Sequence, residues 1–137
     1  MEVRYMNPRQ FLLLGGIVLV ALGVLGMFIL GPTPQQSLLG EFFWLDDVEN
    51  YAHLILGIVA LGAYYLLKDE MLTKWLVIIV GVVALLATVL GFMNSGNGVP
   101  NLGITNLEAV SDNILHLVVT VWAFYAAFVG GKKTTAV

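Results

Sequence analysis

Two histidines, His53 and His116, are the only imidazoles in the chain, and each follows the same kinds of side chain at the same spacings. A carboxylate stands four residues before each, Glu49 and Asp112, and an amide stands three residues before, Asn50 and Asn113. On a helix these spacings put carboxylate, amide and imidazole on one face. Three chemistries fit such a pair of sets. Two imidazoles from different helices ligate one haem where a broad slot separates the helices; they then face each other about 4 Å apart across the iron, with the carboxylates outside the first shell. A divalent transition ion such as zinc would instead draw His53, His116, Glu49 and Asp112 to about 2 Å. A proton or polar-substrate path is the third reading. For the haem, Gly26 and Gly91 stand roughly level with the histidines and would give clearance. Asn50 and Asn113 would then orient the imidazoles or line the site, with Glu49 and Asp112 as ligands or as partners fixing the histidine tautomer. Beside these stands a purely structural reading, in which polar side chains near helix ends cap them, bond across the bundle or meet interfacial water, and the glycines serve close helix crossing.

The elements that would carry these residues are membrane helices. Of 137 residues, 59% are hydrophobic and 11% charged, and the mean hydropathy is +0.91, more apolar surface than a soluble domain of this size can hide. Four apolar stretches, 11–30, 51–67, 75–93 and 114–129, are each about long enough to cross ~30 Å of hydrocarbon. Little chain is left for a soluble domain. No cysteine is present, so disulfides, thiolate metal sites, iron–sulfur clusters and thiol nucleophiles are excluded. The first stretch follows Arg4 and Arg9 but is too long for a signal-peptide core and meets Gly31-Pro32-Thr33-Pro34 without a small-x-small cleavage pattern, so it reads as a retained helix.

All six Lys and Arg fall in three places, Arg4 and Arg9, Lys68 and Lys74, and Lys132 and Lys133. With four spans these lie on one side. The other two connections, 31–50 and 94–113, have no Lys or Arg but carry Glu41, Asp46, Asp47, Glu49, Glu108 and Asp112. The bias of basic residues toward cytoplasmic segments then puts both termini in the cytoplasm of a cytoplasmic (inner) membrane and the acidic loops outside. The aromatic run Phe42-Phe43-Trp44 in the first outer connection suits the headgroup region, and Tyr64, Tyr65 and Trp75 suit an aromatic belt at the other face. Thr88 and Thr120 are expected to bond backbone within their own helices, and Trp122 and Tyr125 to pack.

The two halves overlay. A shift of 65 places Gly16-Ile17-Val18 on Gly81-Val82-Val83 and Val24-Leu25-Gly26 on Val89-Leu90-Gly91; after a two-residue gap, a shift of 63 places Gly40 on Gly103, Glu49-Asn50 on Asp112-Asn113 and His53-Leu54 on His116-Leu117. The matched Asn and His point to duplication of a helix pair, repeat one about 10–67 and repeat two about 74–130, related by a pseudo-two-fold axis along the membrane normal. The predicted fold is an all-α four-helix transmembrane bundle in one domain, 1–137.

The run Glu49-Asn50-Tyr51-Ala52-His53-Leu54 and its second copy Asp112-Asn113-Ile114-Leu115-His116-Leu117, each with Gly40 or Gly103 ahead of it, resembles a family of small prokaryotic four-helix membrane proteins of unknown function with Asn-x-x-His-Leu in both halves. The resemblance covers nearly the whole chain and implies a prokaryotic source and a four-helix membrane fold; it brings no activity to transfer. Thr120 stands where the first copy has Gly57, a departure from symmetry.

No phosphate-binding Gly loop, nucleophile elbow or H-E-x-x-H occurs, and acidic outer loops do not suit nucleic acid. The expected function is a non-catalytic scaffold or accessory subunit, in the bilayer as a homo-oligomer or with other membrane subunits. The alternative is a redox or metal-binding protein holding haem b or a divalent metal at His53 and His116.

Overall fold

The computed structural model describes residues 6–94, 107 and 109–130. They form four α-helices in chain order, α1 (Pro8–Phe28), α2 (Asp47–Leu66), α3 (Glu70–Asn94) and α4 (Val110–Phe128), with a single 3-10 turn at Gly40–Phe42. No strand occurs among the described residues. Helices α1, α3 and α4 are long and apolar enough to cross a membrane, which marks the chain as a membrane protein. The twenty residues of α2 fall short in composition because its first two turns hold Asp47, Glu49, Asn50 and His53, although its length matches the others.

Each helix that follows a polar run begins earlier than the apolar stretch alone predicts, and side-chain caps explain three of these starts, that of α3 being Asp69, whose Oδ1 accepts from the Leu72 N–H at 2.8 Å. At α1, Asn7 accepts from the Gln10 N–H at 2.9 Å while Gln10 accepts from the Asn7 N–H at 3.0 Å, with Pro8 in the first turn where no N–H is needed. At α2, Asp46 accepts from the Glu49 N–H at 2.8 Å and Glu49 Oε2 accepts from the Asp46 N–H at 3.0 Å. In α4 the corresponding cap position is Ala109, with no side-chain cap.

α1 packs antiparallel along α2 and α3 along α4, and the pairs meet mainly where α1 touches α3 and α4. Glycines set the spacing of the first pair. A Cβ at Gly57 would lie 2.7 Å from the Val20 backbone nitrogen, and one at Gly23 would lie 2.7 Å from that of Leu54, so α1 and α2 cross nearly backbone to backbone. In the second pair Phe124 lies over Gly81, and Thr120 stands at the place matching Gly57.

The interior divides along its length. At the end where α2 turns into α3, Phe11, Leu12, Val77, Ala123, Ala126 and Ala127 form a buried apolar core, and Phe11 meets Trp122 edge to face at 4.7 Å. Met6 and Gly130 lie against each other at this end, as do the described basic residues. Arg9 donates to the Tyr64 carbonyl at 2.8 Å and lies over its ring; Lys74 lies over Phe128. Tyr65 and Trp75 are exposed there. Arg4, Lys132 and Lys133 lie outside the described residues. Toward the other end the buried groups in the helices are polar: Glu49, Asn50, His53, Thr88, Asp112, Asn113 and Thr120. Almost everything facing outward from the helices is large and apolar.

Candidate functional site

Helices α2 and α4 run in the same direction, which brings the two polar sets to one end. The His53 and His116 rings lie 6.2 Å apart, centre to centre, with planes inclined by 21°. They meet across the junction of the two helix pairs.

The asparagines do something else. In each pair the amide reaches back to the loop before its own helix: Asn50 Nδ2 donates to the Leu45 carbonyl at 3.3 Å, and Asn113 Nδ2 donates to the Leu107 carbonyl at 3.1 Å. The carbonyl end of each amide rests on a glycine of the preceding helix. A Cβ at Gly26 would overlap Asn50 Oδ1, and a Cβ at Gly91 would overlap Asn113 Oδ1. Both asparagines are fully enclosed. The clearance expected of Gly26 and Gly91 for a macrocycle is therefore taken by the amides, and Asn50 and Asn113 fasten loop to helix pair rather than orient the imidazoles. These contacts cross between helices whose mutual register no hydropathy pattern supplies.

The two carboxylates also part company. Glu49 is tied into the cap of α2 through Oε2. Asp112, 1% exposed, has no cap to complete, and neither of its carboxylate oxygens has a hydrogen bond. Its nearest ionisable neighbour is His116, whose Nδ1 lies 3.4 Å from Oδ2 and 3.1 Å from the Asp112 backbone carbonyl. His53 is buried and its Nδ1 has no hydrogen-bond partner. A four-ligand set of Glu49, Asp112, His53 and His116 is not assembled: among the described residues no three His, Asp or Glu are gathered as metal ligands.

The threonines stay within their helices, Thr88 donating to the Ala84 carbonyl and Thr120 to the His116 carbonyl, each at 2.8 Å. Between the histidines and the basic end, residues 54–67, 75–107 and 117–131 contain no Asp, Glu, Lys, Arg or His, so a chain of ionisable groups through the bundle is missing. A groove of about 480 Å³, lined by Glu41, Phe42, Ala109, Val110, Ser111 and Ile114, lies where the 3-10 turn meets the start of α4. There Ser111 Oγ donates to the Phe42 carbonyl. Glu108 and the loop 95–106 lie outside the described residues.

Asp46, by sequence one more acid of the 31–50 connection, is the helix cap whose presence separates Glu49 from Asp112. Its signal was the Asp-x-x-Glu spacing ahead of an apolar run. Compared with protein-family models, curated proteins and solved structures, the chain matches none of them.

Proposed function

We propose that this protein is a non-catalytic scaffold or accessory subunit of a membrane assembly, a duplicated helix pair that crosses the cytoplasmic membrane four times with both termini inside. The observation that carries the reading is the use of the asparagines. The residues that made the repeated motif look like a site are spent on holding each helix pair and its loop together. No ionisable path leads from the histidines to the opposite end, which disfavours transport, since transporters place such groups or broken helices near the midplane. The large apolar side chains facing outward suit lipid and other membrane helices alike. The repeated Asn-x-x-His-Leu motif supports kinship with small prokaryotic four-helix membrane proteins. A haem between His53 and His116 has less support, because the glycines beside them are covered.

Native mass spectrometry in mild detergent tests the assembly: an oligomer or a co-purifying membrane subunit is expected, and a clean monomer without partner would refute it. Orientation is tested by cysteines introduced at Lys68 and Glu41. In intact cells an impermeant reagent should label position 41 alone; labelling at 68 would invert the topology.

A further inference from the structure

We propose that His53, His116 and Asp112 form a proton-operated latch between the two helix pairs: the closed bundle holds a first proton, and a second parts the pairs at their acidic end. The latch does not depend on what the protein assembles with.

The rings face each other across the junction of the pairs, 6.2 Å apart and inclined by 21°. Each is seated on its own helix. His116 Nδ1 lies 3.1 Å from the Asp112 carbonyl, and the His53 ring lies beside the Glu49 carbonyl, four residues back in both cases. Imidazole is the side chain whose charge ordinarily changes between about pH 5 and 8. Few other charges face the pair. From α4, the Asp112 carboxylate lies 3.4 Å from His116 Nδ1 and also acts on His53. From the start of α2, His53 meets Asp46 and Glu49, whose charges are taken up by the helix N-terminus that they cap. α1 and α3 bring nothing ionisable to this end, since Arg9, Glu70 and Lys74 stand at the other.

Charge then sets two steps. One proton on the pair makes an imidazolium beside a buried carboxylate, a neutral unit that the interior can hold. A second proton leaves two like charges facing each other with one carboxylate to balance them, and a net charge in a dry interior is costly. Parting the pairs relieves that cost by letting water reach both rings. The packing permits it, because the apolar core shared by the pairs lies at the opposite end. The bridge at this end, from Ser111 Oγ to the Phe42 carbonyl, is exposed, so water replaces it. Beyond the rings, 54–67, 75–107 and 117–131 hold no Asp, Glu, Lys, Arg or His; the proton stops at the latch, which senses acidity and does not conduct.

The test uses nitroxide pairs, for which the chain supplies no competing cysteine. Val48→Cys with Val110→Cys spans the acidic end of α2 and α4, and Leu66→Cys with Val129→Cys spans the basic end, all at exposed positions. In lipid nanodiscs, pulsed electron spin resonance should show the 48–110 distance longer at about pH 5 than at about pH 8, by about 2 Å or more, with the 66–129 distance unchanged. His53→Gln, which keeps the Asp112–His116 pair, should hold the shorter 48–110 distance at both values. Asp112→Asn leaves even the first proton unbalanced and should open about one pH unit higher. Circular dichroism at the higher pH checks that each variant is folded, and the two label pairs without further substitution decide the matter if one is not. A 48–110 distance indifferent to pH would overturn the latch. So would lengthening that survives in folded His53→Gln, equal lengthening at 66–129, or an Asp112→Asn protein that opens at the parental pH.

Discussion

Replacing Gly26 by Ala is the sharpest probe of how the helix pairs are fastened. The added methyl would occupy the position of Asn50 Oδ1, so either α1 moves away from α2 or the amide leaves its seat. Moving α1 away would give up the backbone-to-backbone packing a turn away at Gly23, where a built Cβ lies 2.7 Å from the Leu54 nitrogen. The amide therefore gives way. It loses its bond to the Leu45 carbonyl, about 1 kcal/mol, and leaves buried polar atoms unpaired at about 1–3 kcal/mol. Against this stands the helix preference of Ala over Gly, at most about 1 kcal/mol. The net expectation is a loss of about 2 kcal/mol in unfolding free energy, measured by denaturant titration in mixed micelles. Gly62→Ala is the internal control, since a Cβ there meets nothing within 4 Å; it should be neutral or slightly stabilising. Once Asn50 is Ala, the methyl at position 26 has room, so the Gly26→Ala/Asn50→Ala pair should couple by about 2 kcal/mol. Refutation would be a Gly26→Ala protein as stable as Gly62→Ala, or a cycle additive within about 0.5 kcal/mol.

Gly57→Ala should destabilise by about 1–3 kcal/mol through its clash with Val20, while Thr120→Ala at the matching place should cost under about 1 kcal/mol for one hydroxyl bond; thermal melting ranks the two. Glu49→Ala should cost about 1 kcal/mol for the broken capping box. Asp112→Asn, which removes the buried carboxylate 3.4 Å from His116 Nδ1, should lower stability by about 1–3 kcal/mol in the same melts. Phe11→Ala should cost about 3–5 kcal/mol through the cavity left against Trp122, read by loss of near-ultraviolet circular dichroism at lower temperature.

Hydropathy located all four helices because each has to present apolar side chains all round, and composition alone carries that. It misplaced their starts: α2 begins at Asp47 and α3 at Glu70, within polar runs that hydropathy discards. The Asn7–Gln10 and Asp46–Glu49 spacings are the local signal for the first two helices, and Asp69 as cap is the signal for the third. The meeting of His53 and His116 was legible from equal spacing on helices of equal direction. The seating of Asn50 on Gly26 was not, because it depends on the register of α1 against α2, which the close approaches at Gly23 and Gly57 fix only in three dimensions. The unequal fates of Glu49 and Asp112 lie in the residue three before each, Asp46 in one case and Ala109 in the other. Without a cap to complete, the second acid turns to its histidine.

The one-ended core gives the bundle a mechanical character. Apolar packing shared by the two helix pairs sits around Phe11, Val77 and Ala123, about 10 Å along α4 from His116 at 1.5 Å per residue. The pairs are thus two levers on one fulcrum. A rocking of about 6° at the fulcrum opens the far ends by about 1 Å over that arm, and it does so without prising apart any of the apolar core. At the acidic end the pairs are tied by the Ser111–Phe42 hydrogen bond and the facing His53 and His116 rings, so these contacts set the angle between the levers.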